Sequence, residues 1–287
     1  MTVATSMDSF VFGAVLAAAA MHAGWNAVLK VRLEPFLAMT LITGCAGVAA
    51  VPFLVVFGWP KAEAWPWLIG SIVLHLGYYL ALTEAYRRAD MSQIYPIARG
   101  GAPLLTASAS LIVVREPISL QAGLGIALLA SGVALMSLRG ARKHEPPDRV
   151  AIGFALATAV IICGYTLVDG LGARVAADPH AYSAALFVID GVPIVLLAWW
   201  RLGAAAFKPM LRFAGPGLAG GAMSLASYWI AIWAMTVAPI ALVAALRETS
   251  VLFAAAIAVV ILKEPFGPIR AISAALMVSG ILLIRLQ

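Results

Sequence analysis

Charge is what this sequence has least of. Only 11% of its 287 residues are Asp, Glu, Lys or Arg, while 63% are apolar, against about a quarter charged in an ordinary soluble domain. So few charges cannot clothe a water-facing surface, which excludes a soluble globular protein and makes lipid the expected solvent. Long polar stretches are missing as well. The longest is 139–149, which leaves no room for a water-soluble domain. Cysteine is scarce: Cys45 and Cys163 both sit inside apolar runs, where a buried thiol is the plain expectation. No Cys/His spacing suggests a zinc site, and no cofactor is expected. The leading segment MTVATSMDSF has no Lys or Arg and carries Asp8. A secretory signal begins with basic residues, so the first apolar run is expected to stay as a helix. The net charge of +6 comes from basic residues scattered between apolar runs, not gathered on one face. That excludes a nucleic-acid partner and fits the excess of Lys and Arg in loops on one side of a membrane.

What is there is a series of apolar runs of spanning length, about 20 residues each. They fall at 10–29, 36–58, 65–86, 93–114, 119–138, 150–170, 181–200, 213–235, 240–262 and 267–286. A β-barrel would show short alternating segments of about half that length, and backbone satisfaction in lipid requires helices for runs of this kind. Most runs carry Gly, Ala or Ser at close spacing, which lets membrane helices approach one another.

The runs repeat. Residues 95–138 laid over 243–286 put Arg99 on Arg247, Leu104 on Leu252, Glu116-Pro117 on Glu264-Pro265 and Ser131-Gly132 on Ser279-Gly280. Nearer the start, Gly13 and Gly24 fall on Gly153 and Gly164, and Pro35 on Pro179. The expected domains are therefore a first five-helix repeat at 10–138, a polar loop at 139–149 and a second five-helix repeat at 150–286. Five is odd, so the two copies insert with opposite orientation. The expected fold class is an all-α integral membrane protein with ten transmembrane helices as two inverted five-helix repeats, an architecture that places a substrate site near the midplane between halves. Lys and Arg are concentrated in the loops after the odd-numbered spans, such as Lys30, Arg32, Arg87, Arg88, Arg142 and Lys143. That bias places those loops in the cytoplasm and both termini outside.

The segments VVREPISL at 113–120 and ILKEPFGP at 261–268 each join two spans through a basic residue, Glu and Pro. Pro opens the next helix and cannot continue the last, and the Glu lies where the helix dipole favours negative charge. With the downstream Ser-Gly pairs, the chain resembles the drug/metabolite transporter superfamily. More narrowly, it is similar to the ten-span EamA-type family, with its bacterial amino-acid and metabolite exporters. The resemblance covers nearly the whole chain. It implies a multi-pass protein of the cell's inner (plasma) membrane that moves small metabolites by alternating access. It also implies a central cavity lined by spans 1, 3, 4, 6, 8 and 9. The superfamily's four-span multidrug antiporters carry a carboxylate in the first helix. Here the corresponding stretch AAMHAGWN has no acid, which counts against proton-coupled drug export.

Polar groups inside spans are costly in lipid and face the protein interior, so they are the candidate site. Span 3 carries Ser71, His75, Tyr79 and Tyr86 on one helical face, with Tyr78 beside it. His75 would bond a substrate or move a proton, or else tie two helices together. Span 4 carries Tyr95 and Arg99, with Pro96 and Pro103 in the same helix. Arg99 and its repeat partner Arg247 would hold a carboxylate in bidentate fashion; the structural alternative for Arg99 is pairing with Glu84 or Asp90. Span 1 offers His22, Trp25 and Asn26, and span 6 offers Tyr165, the aromatic that follows the repeat-related Gly. Span 8 offers Ser224 and Tyr228. Asp190 in span 7 is the deepest carboxylate, expected in an interhelical hydrogen bond, and Glu116 and Glu264 are expected to shape turns.

The expected function is a metabolite transporter, an amino-acid exporter in the first place and not an enzyme. Its partners would be a small-molecule substrate and membrane lipid, as a monomer or homodimer. Multidrug or cation efflux is the alternative within transport. A membrane-embedded enzyme or a non-transporting sensor is the alternative outside it.

Overall fold

In lipid a chain has no water to satisfy its backbone, so apolar runs of this length fold into helices. The computed structural model describes residues 7–28, 33–88, 91–138, 149–260, 263 and 266–287, with backbone alone at 27, 28, 35, 86, 91–96, 137 and 138. Among the described residues there is no strand. The helices are α1 (Ser9–Val28), α2 (Pro35–Phe57), α3 (Trp65–Arg88), α4 (Met91–Ala109), α5 (Leu120–Leu138), α6 (Arg149–Val175), α7 (Pro179–Leu202), α8 (Phe207–Leu211), α9 (Ala214–Val237), α10 (Ile240–Arg247), α11 (Ser250–Val260) and α12 (Pro268–Arg285). The polar loop at 139–148 and the second Glu-Pro turn, Glu264-Pro265, lie outside the described residues.

Eight helical segments among the described residues are long and apolar enough to cross a membrane. Among the described residues α5 contributes a shorter apolar segment, Leu120–Met136. Helix α1, which carries the polar His22 and Asn26, is not among the eight. The outer faces are apolar: Val55, Leu120 and Trp200 are each 80% exposed or more. The chain is a multi-pass membrane protein.

Helix ends follow local chemistry. Glu34 and Asp178 cap α2 and α7, accepting from the N–H groups of Leu37 and His180, each just before a Pro. The same two helices end at Gly58 and Gly203, both at φ near 70°, a conformation that glycine adopts without a Cβ penalty. Helix α4 runs into a π-helical turn, Ser110–Val114, closed by the left-handed Arg115 (φ 60°). Lys263, at the matching place in the second half, has φ 56°. Glu116 does more than shape this turn. Its carboxylate accepts from Arg174 of α6 at 2.5 Å and from the backbone N–H of Ile240 at 2.9 Å, so it caps α10 from across the bundle.

The expected ninth span, 240–262, is present as one membrane-length segment, Ile240–Val260, made of two helices. Between α10 and α11 the chain tightens at Glu248 and Thr249, whose N–H groups reach back three residues to the carbonyls of Ala245 and Leu246. The Thr249 hydroxyl also donates to the Leu246 carbonyl at 2.7 Å. Such back-bonding competes with the helix's own ladder.

The main packing pairs are α3 on α6, α1 on α9, α2 on α7 and α5 on α12. Glycine sets the closest of these. A Cβ on Gly280 would lie 2.6 Å from the Gly125 carbonyl oxygen and 2.8 Å from the Leu129 nitrogen, whereas one on Gly123 would meet nothing. Gly280→Ala should therefore part α5 from α12 and cost about 1–3 kcal/mol, the usual penalty of overpacking. A lower melting temperature in detergent than for Gly123→Ala is expected, and equal melting would contradict this packing.

Candidate functional site

The polar stripe of α3 begins the site. Ser71 and His75 are one turn apart, and His75 Nδ1 lies 3.1 Å from the Ser71 hydroxyl and 3.0 Å from its carbonyl oxygen. One turn further, Tyr79 donates to Asp190 Oδ2 of α7 at 2.9 Å. From α6, Tyr165 stacks on the His75 ring, with centroids 4.4 Å apart and planes inclined by 21°. Tyr228 of α9 meets both rings edge-on at 5.9 and 6.1 Å. Edge-to-face and offset contacts are the favoured geometries of aromatic pairs, so this wall is built from rings that hold one another in place.

Behind the wall, Asp169 is fully buried and held by two phenols. Tyr182 donates to Oδ1 at 3.0 Å and Tyr228 to Oδ2 at 2.5 Å.

The opposite side is cationic. Arg99 of α4 lies with Nε 3.3 Å from Glu248 Oε2, not beside Glu84, which pairs with Arg87 and Arg88. Arg99 Nη2 is 3.1 Å from His22 Nε2, and the Trp25 indole N–H is 3.2 Å from His22 Nδ1. A neutral imidazole has one acceptor nitrogen, so its tautomer decides which of these two contacts is a hydrogen bond. Arg247, the last residue of α10, places its guanidinium carbon 4.6 Å over the Tyr228 ring.

These groups enclose a cavity of about 90 Å³. Trp25, His75, Tyr78, Tyr79, Arg99, Tyr165, Ser224, Tyr228 and Arg247 all line it. Asn26 is turned to its own helix, donating to the His22 carbonyl at 2.8 Å, and the side chain of Tyr95 lies outside the described residues. The cavity has contributors that sequence reasoning missed: Met39, Ile42, Thr43 and Ala46 of α2, and Leu186 and Phe187 of α7. Asp190, singled out in the sequence for an interhelical hydrogen bond, makes that bond to Tyr79 and lines the cavity as well. The expected lining by spans 1, 3, 4, 6, 8 and 9 therefore extends to spans 2 and 7. The apolar members carried no signal in an apolar run. Asp190, beside the close contact of Gly191 with Gly47, carried one. A second void of about 10 Å³ lies behind Arg99 and Glu248, room for roughly one water. Among the described residues, no cluster of three His, Cys, Asp or Glu side chains converges as metal ligands.

Residues 6–138 match the EamA-like transporter family. No curated protein matches the chain. A crystal structure of a protein 19% identical in sequence superimposes with a TM-score of 0.77 over 97% of this chain and 96% of that one. At that identity the likeness shows a shared fold.

Tyr182 touches Asp169 but does not line the cavity. Tyr182→Phe removes one of the two donors to a buried carboxylate, at a cost of about 1–3 kcal/mol. A clear drop in melting temperature is expected, and unchanged melting would show that this bond contributes nothing.

Proposed function

We propose that this protein is a ten-span metabolite transporter of the inner membrane that exports amino acids by alternating access. In this reading α1 and α5 join the eight longer or more apolar segments as spans, and the halves 10–138 and 150–286 form two inverted five-helix repeats.

Pairs of contacts related by the sequence repeat support the two-fold relation. A Cβ on Gly280 would meet Gly125 and Leu129. One on Gly132 would meet Ser273 and Met277, the residues 148 further on in each case. Gly24 of α1 faces Met223 of α9, and Gly164 of α6 faces Leu74 of α3. Gly47 and Gly191, themselves repeat partners, pack against each other where α2 crosses α7. Such reciprocity is what a two-fold axis produces. An odd number of spans per half sets that axis in the membrane plane, with the site where the halves meet.

The observation that carries the function is the cavity's pairing of opposite charges within an aromatic wall. Arg247 and Asp190 both line it. Asp190 Oδ2 is engaged by Tyr79, and among the described residues Oδ1 accepts no hydrogen bond. A guanidinium suits a carboxylate and a free carboxylate oxygen suits an ammonium, which together describe a zwitterionic α-amino acid. The volume of about 90 Å³ is below the roughly 150 Å³ of a cavity that takes benzene, which favours compact side chains in this conformation. A drug cation would instead meet the positive face of Arg247, so cation efflux fits less well.

Purified protein in liposomes tests the reading. Uptake of labelled small amino acids above that of empty liposomes is expected. His75→Ala and Tyr79→Ala should each lower flux by about tenfold, as loss of about 1.4 kcal/mol of interaction would do, with folded yield intact. No uptake across a broad panel would overturn the transport reading, and normal flux in both variants would remove α3 from the substrate path.

A further inference from the structure

Arg99 and Arg247 hold the same place in the two halves of the sequence, and both reach the central cavity. Their surroundings differ. Arg99 is in ion-pair contact with Glu248, and both side chains are less than a tenth exposed. By the repeat, the residue matching Glu248 in the first half is Gly100, which has no side chain to offer. Arg247 accordingly has no such carboxylate. Among the described residues it makes no ion pair and no hydrogen bond, and its guanidinium rests over the Tyr228 ring. The hydroxyl of that tyrosine is already committed to Asp169. One of two repeat-related cations is thus neutralised from within the protein, while the other presents its donors to the cavity.

We infer that Glu248 sets the charge capacity of the site: it occupies Arg99 and leaves Arg247 to anchor a single substrate carboxylate, so that the cavity selects monocarboxylate over dicarboxylate amino acids. The inference rests on the amino-acid reading above and adds a specificity-determining residue to it. The physical reason is the cost of an unpaired charge away from water. The second carboxylate of a dicarboxylate would find Arg99 already paired and would meet Asp190, a like charge, on the cavity wall. Repulsive groups of this kind discriminate against wrong ligands alongside the attraction that selects right ones. The position of Glu248 also matters. It sits at the two-residue break between α10 and α11, directly after Arg247, so the same backbone turn sends the carboxylate to Arg99 and the guanidinium to the cavity.

The test is binding of alanine and aspartate to the purified full-length protein, followed by thermal shift in detergent, with liposome uptake of both run alongside. Wild-type protein should bind alanine at least about tenfold more tightly than aspartate, each tenfold being about 1.4 kcal/mol. Glu248→Gln releases Arg99, and the ratio should move toward aspartate by about tenfold. Adding Arg99→Gln to Glu248→Gln should cancel that gain. This double variant removes both members of the Arg99–Glu248 pair together and strands neither, so it keeps the inference testable if the single variant does not fold; it should still rank alanine above aspartate. Arg247→Gln should lose binding of both ligands. A ratio unmoved in folded Glu248→Gln, a double variant that prefers aspartate, alanine binding retained in Arg247→Gln, or a wild type that binds neither ligand would each overturn the inference. Binding that follows the expected pattern without any uptake would support the inference and defeat the transport reading. Uptake with an unmoved ratio would do the reverse.

Discussion

A guanidinium inside a bundle surrounded by lipid is poorly hydrated from outside, and the buried Arg99 and the part-buried Arg174 and Arg247 meet that constraint differently. Arg174 is bound to Glu116 and to the carbonyls of Met235 and Ala238. Because Glu116 also accepts the Ile240 N–H, this network ties the turn before α5 to the ends of α6 and α9 and to the start of α10. Arg99 is held by Glu248 and lies beside His22, which joins α4 to α1 and to the break between α10 and α11. Arg247 has the face of Tyr228 and the cavity itself. The first two solutions close space with protein atoms. The third needs space to remain, because a cation with uncommitted donors is tolerable in such a bundle only beside water or a ligand.

How the space is kept open follows from where small and large residues fall. Glycines bring the backbones of α2 and α7 together at Gly47 and Gly191, and those of α5 and α12 at Gly132 and Gly280. Between these closures the interfaces of α3, α6 and α9 are filled with His75, Tyr165 and Tyr228, whose rings meet at fixed angles. The phenol of Tyr228 is locked by Asp169, and that of Tyr79 by Asp190. Rings fixed at both ends cannot collapse into the gap, so the volume is bounded by hydrogen bonds as well as by packing.

Much of this was legible in the sequence, for reasons that differ by element. Spans are readable because an apolar run of membrane length has few alternatives to a helix. The α3 stripe was readable because Ser71, His75 and Tyr79 recur every four residues in an otherwise apolar run. Arg99 and Arg247 stood out for the same reason and then by their repetition. The partner of Arg99 was not readable: Glu84 and Asp90 are near it in sequence, whereas Glu248 reaches it only through the tertiary fold. The break between α10 and α11 was hidden because 240–260 contains neither Gly nor Pro; back-bonding by Thr249 marks it in the structure. Met39, Ile42, Leu186 and Phe187 line the cavity with side chains that would serve equally well against lipid or in a core, so polarity could not single them out. Asn26 failed in the other direction. It is polar and lies beside the site, but its amide is spent on its own helix.

Two repeat-related halves, as proposed, bear on the chemistry of the cavity. A two-fold axis through it would offer two copies of every group, whereas the proposed amino-acid substrate has one carboxylate and one ammonium. In that reading the cavity's polar groups must differ between the halves, and in the sequence they do. Trp25 faces Tyr165 across the repeat, so the aromatic character is kept while its shape differs. Arg99 and Arg247 are kept as a pair, but Gly100 and Glu248 are not. A single carboxylate added after one member of the pair leaves two repeat-related cations in the cavity wall, one ion-paired by Glu248 and the other over the Tyr228 ring. Asp190 supplies the opposite pole from α7, at a position where the repeat-related residue of α2 is Ala46, 144 residues earlier. Ala46 lines the same cavity with no charge. The backbone contacts at Gly47 with Gly191 and at Gly132 with Met277 follow the sequence repeat, while the polar side chains at the centre depart from it, which is the division that the proposed alternating access requires of a fold that rocks around an asymmetric ligand.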